Sequence, residues 1–72
     1  MNLNIVVNGK SLQLDQHDQE PVTIASVLQH FDVQKRMVIV EQNGNIIDRS
    51  VYEKTPIQDG DQIEIVHFVG GG

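Results

Sequence analysis

The stretch VTIASVLQHF, residues 22–31, is the segment of this 72-residue chain whose pattern predicts an α-helix. Its apolar residues recur at intervals of three and four, which places them on one stripe of the helix. They are Ile24, Val27, Leu28 and Phe31. Thr23 is a favourable N-cap, and Val22 and Val27 hold the two positions of a hydrophobic staple. A single amphipathic helix needs a sheet on which to bury its stripe.

The segments around the helix alternate in polarity as β-strands do. Residues 3–14 predict a hairpin that turns at Asn8-Gly9, and residues 37–47 predict a second one that turns at Asn43-Gly44. On the first hairpin, one face of the first strand is shared by Leu3, Ile5 and Val7, and Leu12 and Leu14 share a face of the second strand. Residues 15–20 are expected to form a loop that Pro21 closes.

The last third of the chain predicts one more strand after an irregular segment. Residues 48–58 contain Pro56, which argues against a central strand there, and Asp59-Gly60 predicts a turn before a strand at residues 62–68. The order β-β-α-β-β-β predicts an α+β fold of the β-grasp, ubiquitin-like type. We expect a mixed sheet with the helix packed on one face and the first and last strands side by side in its middle.

Composition excludes several classes of function. The formal net charge of −5 disfavours nucleic acid and suits a partner with a basic surface. The chain has no cysteine, which excludes disulfides and zinc–thiolate sites and favours the cytoplasm. No apolar run approaches the roughly 20 residues of a membrane span. We therefore expect a cytoplasmic protein, monomeric when free, that does not bind a membrane.

The end of the chain carries a family resemblance. The segment QDGDQIEIVHFVGGG, residues 58–72, resembles the end of the sulfur-carrier proteins of thiamine thiazole synthesis, the ThiS family. Three further segments resemble the same family in the same order: VNGK (7–10), VTIASVL (22–28) and VIVEQNGNII (38–47). The family's terminal glycine pair corresponds to Gly71 and Gly72, and Gly70 adds a third glycine.

The resemblance implies a carrier, a protein cosubstrate that is not itself an enzyme. It implies that an adenylating, E1-like enzyme activates the carboxyl group of Gly72 with ATP and Mg²⁺, so that the carrier needs no cofactor of its own. The carboxyl then becomes a thiocarboxylate, with sulfur from a donor such as a cysteine desulfurase, and thiazole synthase receives that sulfur. Residues 1–68 would form the β-grasp domain and residues 69–72 a flexible tail. Glycines suit such a tail because they have no Cβ to clash with a narrow channel.

A docking surface is predicted from the parity of the strands. Val66 and Phe68 alternate with the core residues of the last strand and should face away from the helix. Val6 and Ile39 have the same outward parity on their own strands. An apolar surface that leads directly into the tail predicts a site at which partner proteins dock.

Two other functions remain open from the sequence alone. The small subunit of molybdopterin synthase shares the terminal glycines, and a noncovalent ubiquitin-like interaction module would need the sheet surface without a free terminal carboxylate. The spacing of His17, His30 and His67 does not predict a metal site. Asp59 and Asp61 flank Gly60, and turn formation explains them better than acid–base chemistry.

Overall fold

A five-stranded sheet with one α-helix across one face forms the fold. The structure, a computed structural model, describes residues 2–16 and 21–68. The elements are β1 (Asn2–Val7), β2 (Lys10–Asp15), α1 (Ile24–His30), β3 (Val38–Gln42), β4 (Asn45–Ile47) and β5 (Gln62–His67), with short 3-10 helices at Lys35–Met37 and Arg49–Val51. The predicted tail, residues 69–72, and most of the loop before Pro21, including His17, lie outside the described residues.

The first and last strands are neighbours in the centre of the sheet. The strand order is β2-β1-β5-β3-β4, with β1 and β5 parallel and the other neighbouring pairs antiparallel. In the parallel pair Val6 lies opposite Gln62 and Val7 opposite Ile63. The predicted α+β class, the central position of the first and last strands and the β-grasp arrangement are confirmed.

Both Asn-Gly turns are present where the sequence predicts them. The φ angles are 51° at Asn8 and 81° at Gly9, and 52° at Asn43 and 86° at Gly44. Positive φ at both central residues is the geometry that matches the twist of two-residue hairpins. Asparagine tolerates this left-handed conformation and glycine adopts it freely, which is why this dipeptide appears at both turns.

The helix begins as predicted. Thr23 caps it through a reciprocal pair: the Ser26 N–H donates to the Thr23 hydroxyl at 3.3 Å, and the Thr23 N–H donates to the Ser26 hydroxyl at 3.1 Å. Val22 and Val27 are both buried, as a hydrophobic staple requires. The helix has seven residues, and no helix within the described ranges is long and apolar enough to cross a membrane.

The core lies between α1 and the inner face of the sheet. Three of the four predicted stripe residues are buried, with Ile24 and Val27 at 0% exposure and Leu28 at 3%. The sheet supplies the aliphatic residues opposite them: Leu3, Ile5, Val7, Val38, Val40, Ile63 and Ile65. The irregular segment that precedes β5 completes the core with Tyr52 and Ile57.

Phe31 is the fourth stripe residue, and its predicted place in the core is wrong. Its side chain is 42% exposed because the helix ends before it. Asp32 adopts φ 56°, its N–H bonds the Gln29 carbonyl, and the Val33 N–H bonds the Leu28 carbonyl. These two bonds form a Schellman motif, in which the chain turns away from the helix axis.

Phe31 instead borders an open groove on the helix side of the sheet. The groove has a volume of about 620 Å³, and its apolar lining comes mainly from Val7, Leu12, Phe31, Val33 and Ile65. The helical period predicts no such groove, because it assigns the Phe31 side chain to the core.

Candidate functional site

The face of the sheet that α1 leaves open carries apolar residues near the end of β5. Ile63 and Ile65 are buried, whereas Val66 is 50% exposed. Strand pairing places Ile39 of β3 directly opposite Val66. Just beyond β5, the Phe68 N–H donates to the Met37 carbonyl at 2.9 Å, and the two side chains are 48% and 46% exposed. We call the pairs Phe68–Met37 and Val66–Ile39 the apolar rows.

Three of the four predicted docking residues therefore lie together. Val66, Phe68 and Ile39 all belong to the apolar rows. Val6 has the predicted parity and is half-buried, but it pairs with Gln62, four residues before Val66 on β5. At about 3.3 Å per residue, that separation is about 13 Å. The apolar rows therefore do not extend continuously to Val6.

Parity on the last strand alone does not identify two further exposed apolar residues of this region. Met37 ends the 3-10 helix before β3, and Ile46 on β4 pairs with Glu41 and is 72% exposed. Counting across the two-residue turn Asn43-Gly44 places Ile46 opposite Glu41, so the sequence contains the signal for Ile46. For Met37, the signal is weaker because a 3-10 helix does not follow the two-residue period of a strand.

The end of β5 is held in place by the first hairpin. The Asn8 side chain accepts a hydrogen bond from the Ile65 N–H at 2.7 Å and donates one to the Ile65 carbonyl at 3.2 Å. The Asn8 N–H also donates to the Ile63 carbonyl at 2.9 Å. The side chain of Asn8 thus extends the pairing of β5 beyond the point where β1 ends, and it fixes the strand that leads to the tail.

The start of β5 is held by the second hairpin in a similar way. The Asn43 side-chain oxygen accepts from the Gln62 N–H at 2.9 Å, while the Asn43 N–H donates to the Gln62 carbonyl at 2.8 Å. The Asn43 side-chain amide also donates to Asp61 Oδ1 at 3.0 Å. Each Asn-Gly turn therefore positions β5 as well as closing its own hairpin.

Asp61 is a buried carboxylate at the entry to β5, with 7% of its surface exposed. Its Oδ2 accepts from Gln42 Nε2 at 2.9 Å and from the Gln58 N–H at 2.8 Å, and Asn43 occupies Oδ1. Burial alone would raise the pKa of Asp61, but the hydrogen bonds from Asn43, Gln58 and Gln42 together lower it below its ordinary value. The carboxylate is therefore ionised and structural, in agreement with the predicted turn at Asp59-Gly60.

Metal binding has no geometric basis in the described part of the chain. Within residues 2–16 and 21–68, no group of three or more His, Asp or Glu side chains is placed to hold a metal ion. His30 contacts the ring of Phe31 edge-on, with 5.0 Å between the ring centres. His67 lines the helix-side groove.

Comparison with known proteins identifies the family. A model of the ThiS family matches residues 2–72. The chain belongs to the ThiS family. It is 39% identical over 66 residues to the sulfur carrier protein ThiS of Bacillus subtilis, which covers 92% of this chain and 96% of that protein. The ThiS resemblance predicted from the sequence is confirmed.

A ThiS structure and a larger enzyme are also similar to this ThiS-family chain. The crystal structure of the thiamine biosynthesis protein ThiS from Geobacter metallireducens superposes with a TM-score of 0.79 at 35% identity, covering 97% of this chain and 100% of that one. A thiazole synthase of Paramagnetospirillum magneticum is 34% identical over 70 residues, which is 97% of this chain and 20% of that enzyme. The chain thus spans one fifth of the length of this relative.

Proposed function

We propose that this chain is a sulfur carrier for thiazole formation in thiamine biosynthesis, with the carboxyl group of Gly72 as the reacting group. The observation that carries the proposal is the family match over residues 2–72, together with 39% identity to a sulfur carrier over nearly the whole of both chains. The sequence places three glycines, Gly70 to Gly72, one residue after Phe68, with Val69 between them. A carboxyl group on such a segment has no side chains beside it to hinder entry into a narrow site.

The chemistry requires activation because a carboxylate is a poor electrophile. An oxygen of the Gly72 carboxylate attacks the α-phosphate of ATP, and pyrophosphate leaves as the acyl-adenylate forms. A sulfur donor at the oxidation level of hydrosulfide then attacks the acyl carbon. A C–S bond forms, the C–O bond to AMP breaks, and AMP leaves with the electron pair. A separate adenylating enzyme supplies the ATP and Mg²⁺ site, so this chain serves as a protein cosubstrate in the cytoplasm.

Thiazole synthase is the proposed acceptor of the sulfur. One supporting observation is that a thiazole synthase contains a stretch similar to 97% of this chain within its own sequence. A second is the position of the apolar rows at the end of β5, since Phe68 stands two residues before Gly70. From Phe68 to Gly72 an extended chain reaches on the order of 15 Å, so a partner docked on the rows could take the carboxyl group into a buried site.

Intact-mass measurement tests the proposal. The protein is incubated with the adenylating enzyme, ATP, Mg²⁺ and sulfide, and a parallel reaction omits ATP. The expected result is an ATP-dependent mass increase equal to the exchange of one oxygen for one sulfur. The thiocarboxylate product should then support thiazole formation by thiazole synthase. An unchanged mass, with an adenylating enzyme that is active on its own carrier, overturns the proposal and leaves a noncovalent interaction module.

A further inference from the structure

Two carboxylates lie side by side on the open face, next to the apolar rows. Glu41 of β3 is directly opposite Glu64 of β5, one row further from the tail than the Val66–Ile39 pair. Glu64 is exposed and Glu41 half-buried. The hydrogen bonds at Phe68 and Gln62 on either side show that this is a hydrogen-bonded pair, for which the Cα atoms are about 5.5 Å apart. We call Glu41 and Glu64 the acidic row.

No cation within the described residues neutralises the acidic row. The five lysines and arginines of the chain all lie in the described ranges, and none forms an ion pair with Glu41 or Glu64. Lys35 and Arg36 precede Met37, at the opposite end of the open face, and Arg49 lines a surface pocket beside Ile39 and Ile46 without pairing with either glutamate. The neighbour of Glu41 on the other side is Ile46, an exposed aliphatic residue. Like charges directly opposite each other destabilise a sheet, so the free protein carries this pair at a cost.

We propose that thiazole synthase covers this face with a surface that is apolar above the apolar rows and carries an arginine or lysine above the acidic row. The inference rests on the proposed function and adds the chemistry of the partner surface. An arginine suits the site best, because a forked guanidinium can bond two adjacent carboxylates at once. Without such a cation, covering Glu41 and Glu64 would bury two unpaired charges at a large cost.

The position of the acidic row along β5 sets its distance from the start of the tail. The acidic row lies four residues before Phe68 on β5, which is about 13 Å from the root of the tail. The partner's cation must therefore lie about 13 Å from the opening through which the glycine segment enters. Because it discriminates by charge, the acidic row would favour a basic partner surface and reject an acidic one.

Equilibrium binding to thiazole synthase tests the proposal, using the wild type, Glu41→Gln, Glu64→Gln and the double variant. The double variant should raise Kd at least about tenfold, and Glu64→Lys should raise it further. Added salt should weaken the binding of the wild type more than that of the double variant. Glu53→Gln is the matched control, because it removes the same charge from a site on the helix side. Glu53 follows Tyr52, whose carbonyl accepts a hydrogen bond from Ala25 of α1 at 3.1 Å.

A stability measurement separates lost contacts from lost folding. Removing one of two like charges should leave the thermal unfolding midpoint of the free protein unchanged or raised. Weaker binding by a variant that is at least as stable then reports the contact itself. If Glu41→Gln and Glu64→Gln bind as Glu53→Gln does, the acidic row is not a contact and the proposal fails.

Three further outcomes identify which statement is wrong. A loss of affinity only for the adenylating enzyme would overturn the choice of thiazole synthase as the occupant. If Phe68→Ala weakens binding and the acidic-row variants do not, the acidic-row proposal fails while the carrier function stands. If the wild-type chain gains no sulfur in the mass measurement, the proposed function itself fails, whatever the binding results show.

Discussion

The side chain of Asn8 is hydrogen-bonded to both backbone groups of Ile65, with its oxygen 2.7 Å from the N–H and its nitrogen 3.2 Å from the carbonyl oxygen. By this point on β5 the neighbouring strand β1 has ended at Val7. A side chain therefore takes the place of a strand. The last strand before the tail therefore depends on a residue that local rules assign to a hairpin turn.

Replacing Asn8 with glycine should destabilise the protein by about 1–3 kcal/mol, because two part-buried backbone groups lose their partners. Glycine tolerates φ 51° freely, so the cost reports the side chain and not the turn. Chemical denaturation measures the free energy of unfolding. The control is Asn45→Gly on the exposed edge strand β4. Equal losses in the two variants would show that the Asn8 side chain contributes nothing.

Asp61→Asn should also destabilise the protein at pH 7, by about 1–3 kcal/mol. Both carboxylate oxygens of Asp61 accept hydrogen bonds, and the NH2 group of an asparagine would face one of those donors instead. The folded-state pKa of Asp61 is lowered, so its contribution is present above the unfolded pKa of about 3.9 and is lost as pH falls through the folded value. Urea unfolding of both proteins from pH 7 to pH 2 checks this. The difference between them should shrink below about pH 4, and a constant difference would contradict the assignment.

Deleting Gly72, or adding one residue after it, should abolish thiocarboxylate formation, because the proposed reacting group is the carboxyl of that residue. The domain should remain as stable as the wild type, since its core lies within residues 2–68. Intact mass after the adenylation reaction and a thermal unfolding curve give the two readouts. Sulfur incorporation at the normal rate in the deletion variant would be incompatible with Gly72 as the reacting residue.

Leu28→Ala should cost about 2–4 kcal/mol, because the Leu28 side chain is 3% exposed and its truncation leaves a cavity. Val27→Ala, at 0% exposure, should be costly for the same reason. Phe31→Ala serves as a contrast, since its ring is 42% exposed beyond the end of α1. Thermal and chemical unfolding should rank the Leu28 variant well below the Phe31 variant. The reverse order would place Phe31 in the core after all.

Phe68→Ala should weaken binding to the adenylating enzyme and to thiazole synthase while leaving the fold intact, because the ring is 48% exposed at the root of the tail. A central aromatic anchor commonly costs about 2 kcal/mol or more when truncated. Phe31→Ala is a matched control, as a similarly exposed ring on the helix side. High partner concentration should restore turnover, since Gly72 is unchanged. Unaltered affinity for both partners would show that docking takes place elsewhere.

The features that the sequence predicted well are local ones. The two-residue period places Val66 and Ile39 outward, and Asn-Gly turns and the Thr23 cap follow from steric and hydrogen-bonding rules that act within a few residues. These local rules do not predict the pairing of Ile39 with Val66, because it depends on the register between β3 and β5. The same limit applies to Val6, whose parity is right while its register with β5 separates it from the apolar rows.

One local turn and several tertiary contacts account for what the sequence did not reveal. The helical period continues through Phe31, but Asp32 takes a left-handed conformation that ends the helix earlier. Asn8 and Asn43 are fully explained as turn residues, so nothing local indicates that their side chains also bind β5. The acidic row arises only when β3 and β5 come together in register. For Asn8, Asn43 and the acidic row, the deciding partner lies far away in the chain, whereas the helix ends through bonds between neighbouring residues.

The position of β5 between β1 and β3 also affects how the protein is made. Of the five strands, the one that leaves the ribosome last fills the centre of the sheet, so β1 and β3 stay unjoined until residues 62–67 have been made. A chain that stops before Gln62 lacks both the central strand and the glycines that follow it. Pairings between segments so distant in sequence form slowly, since a long loop must close first. A chain that ends before β5 would therefore have no complete sheet on which α1 could bury its apolar stripe.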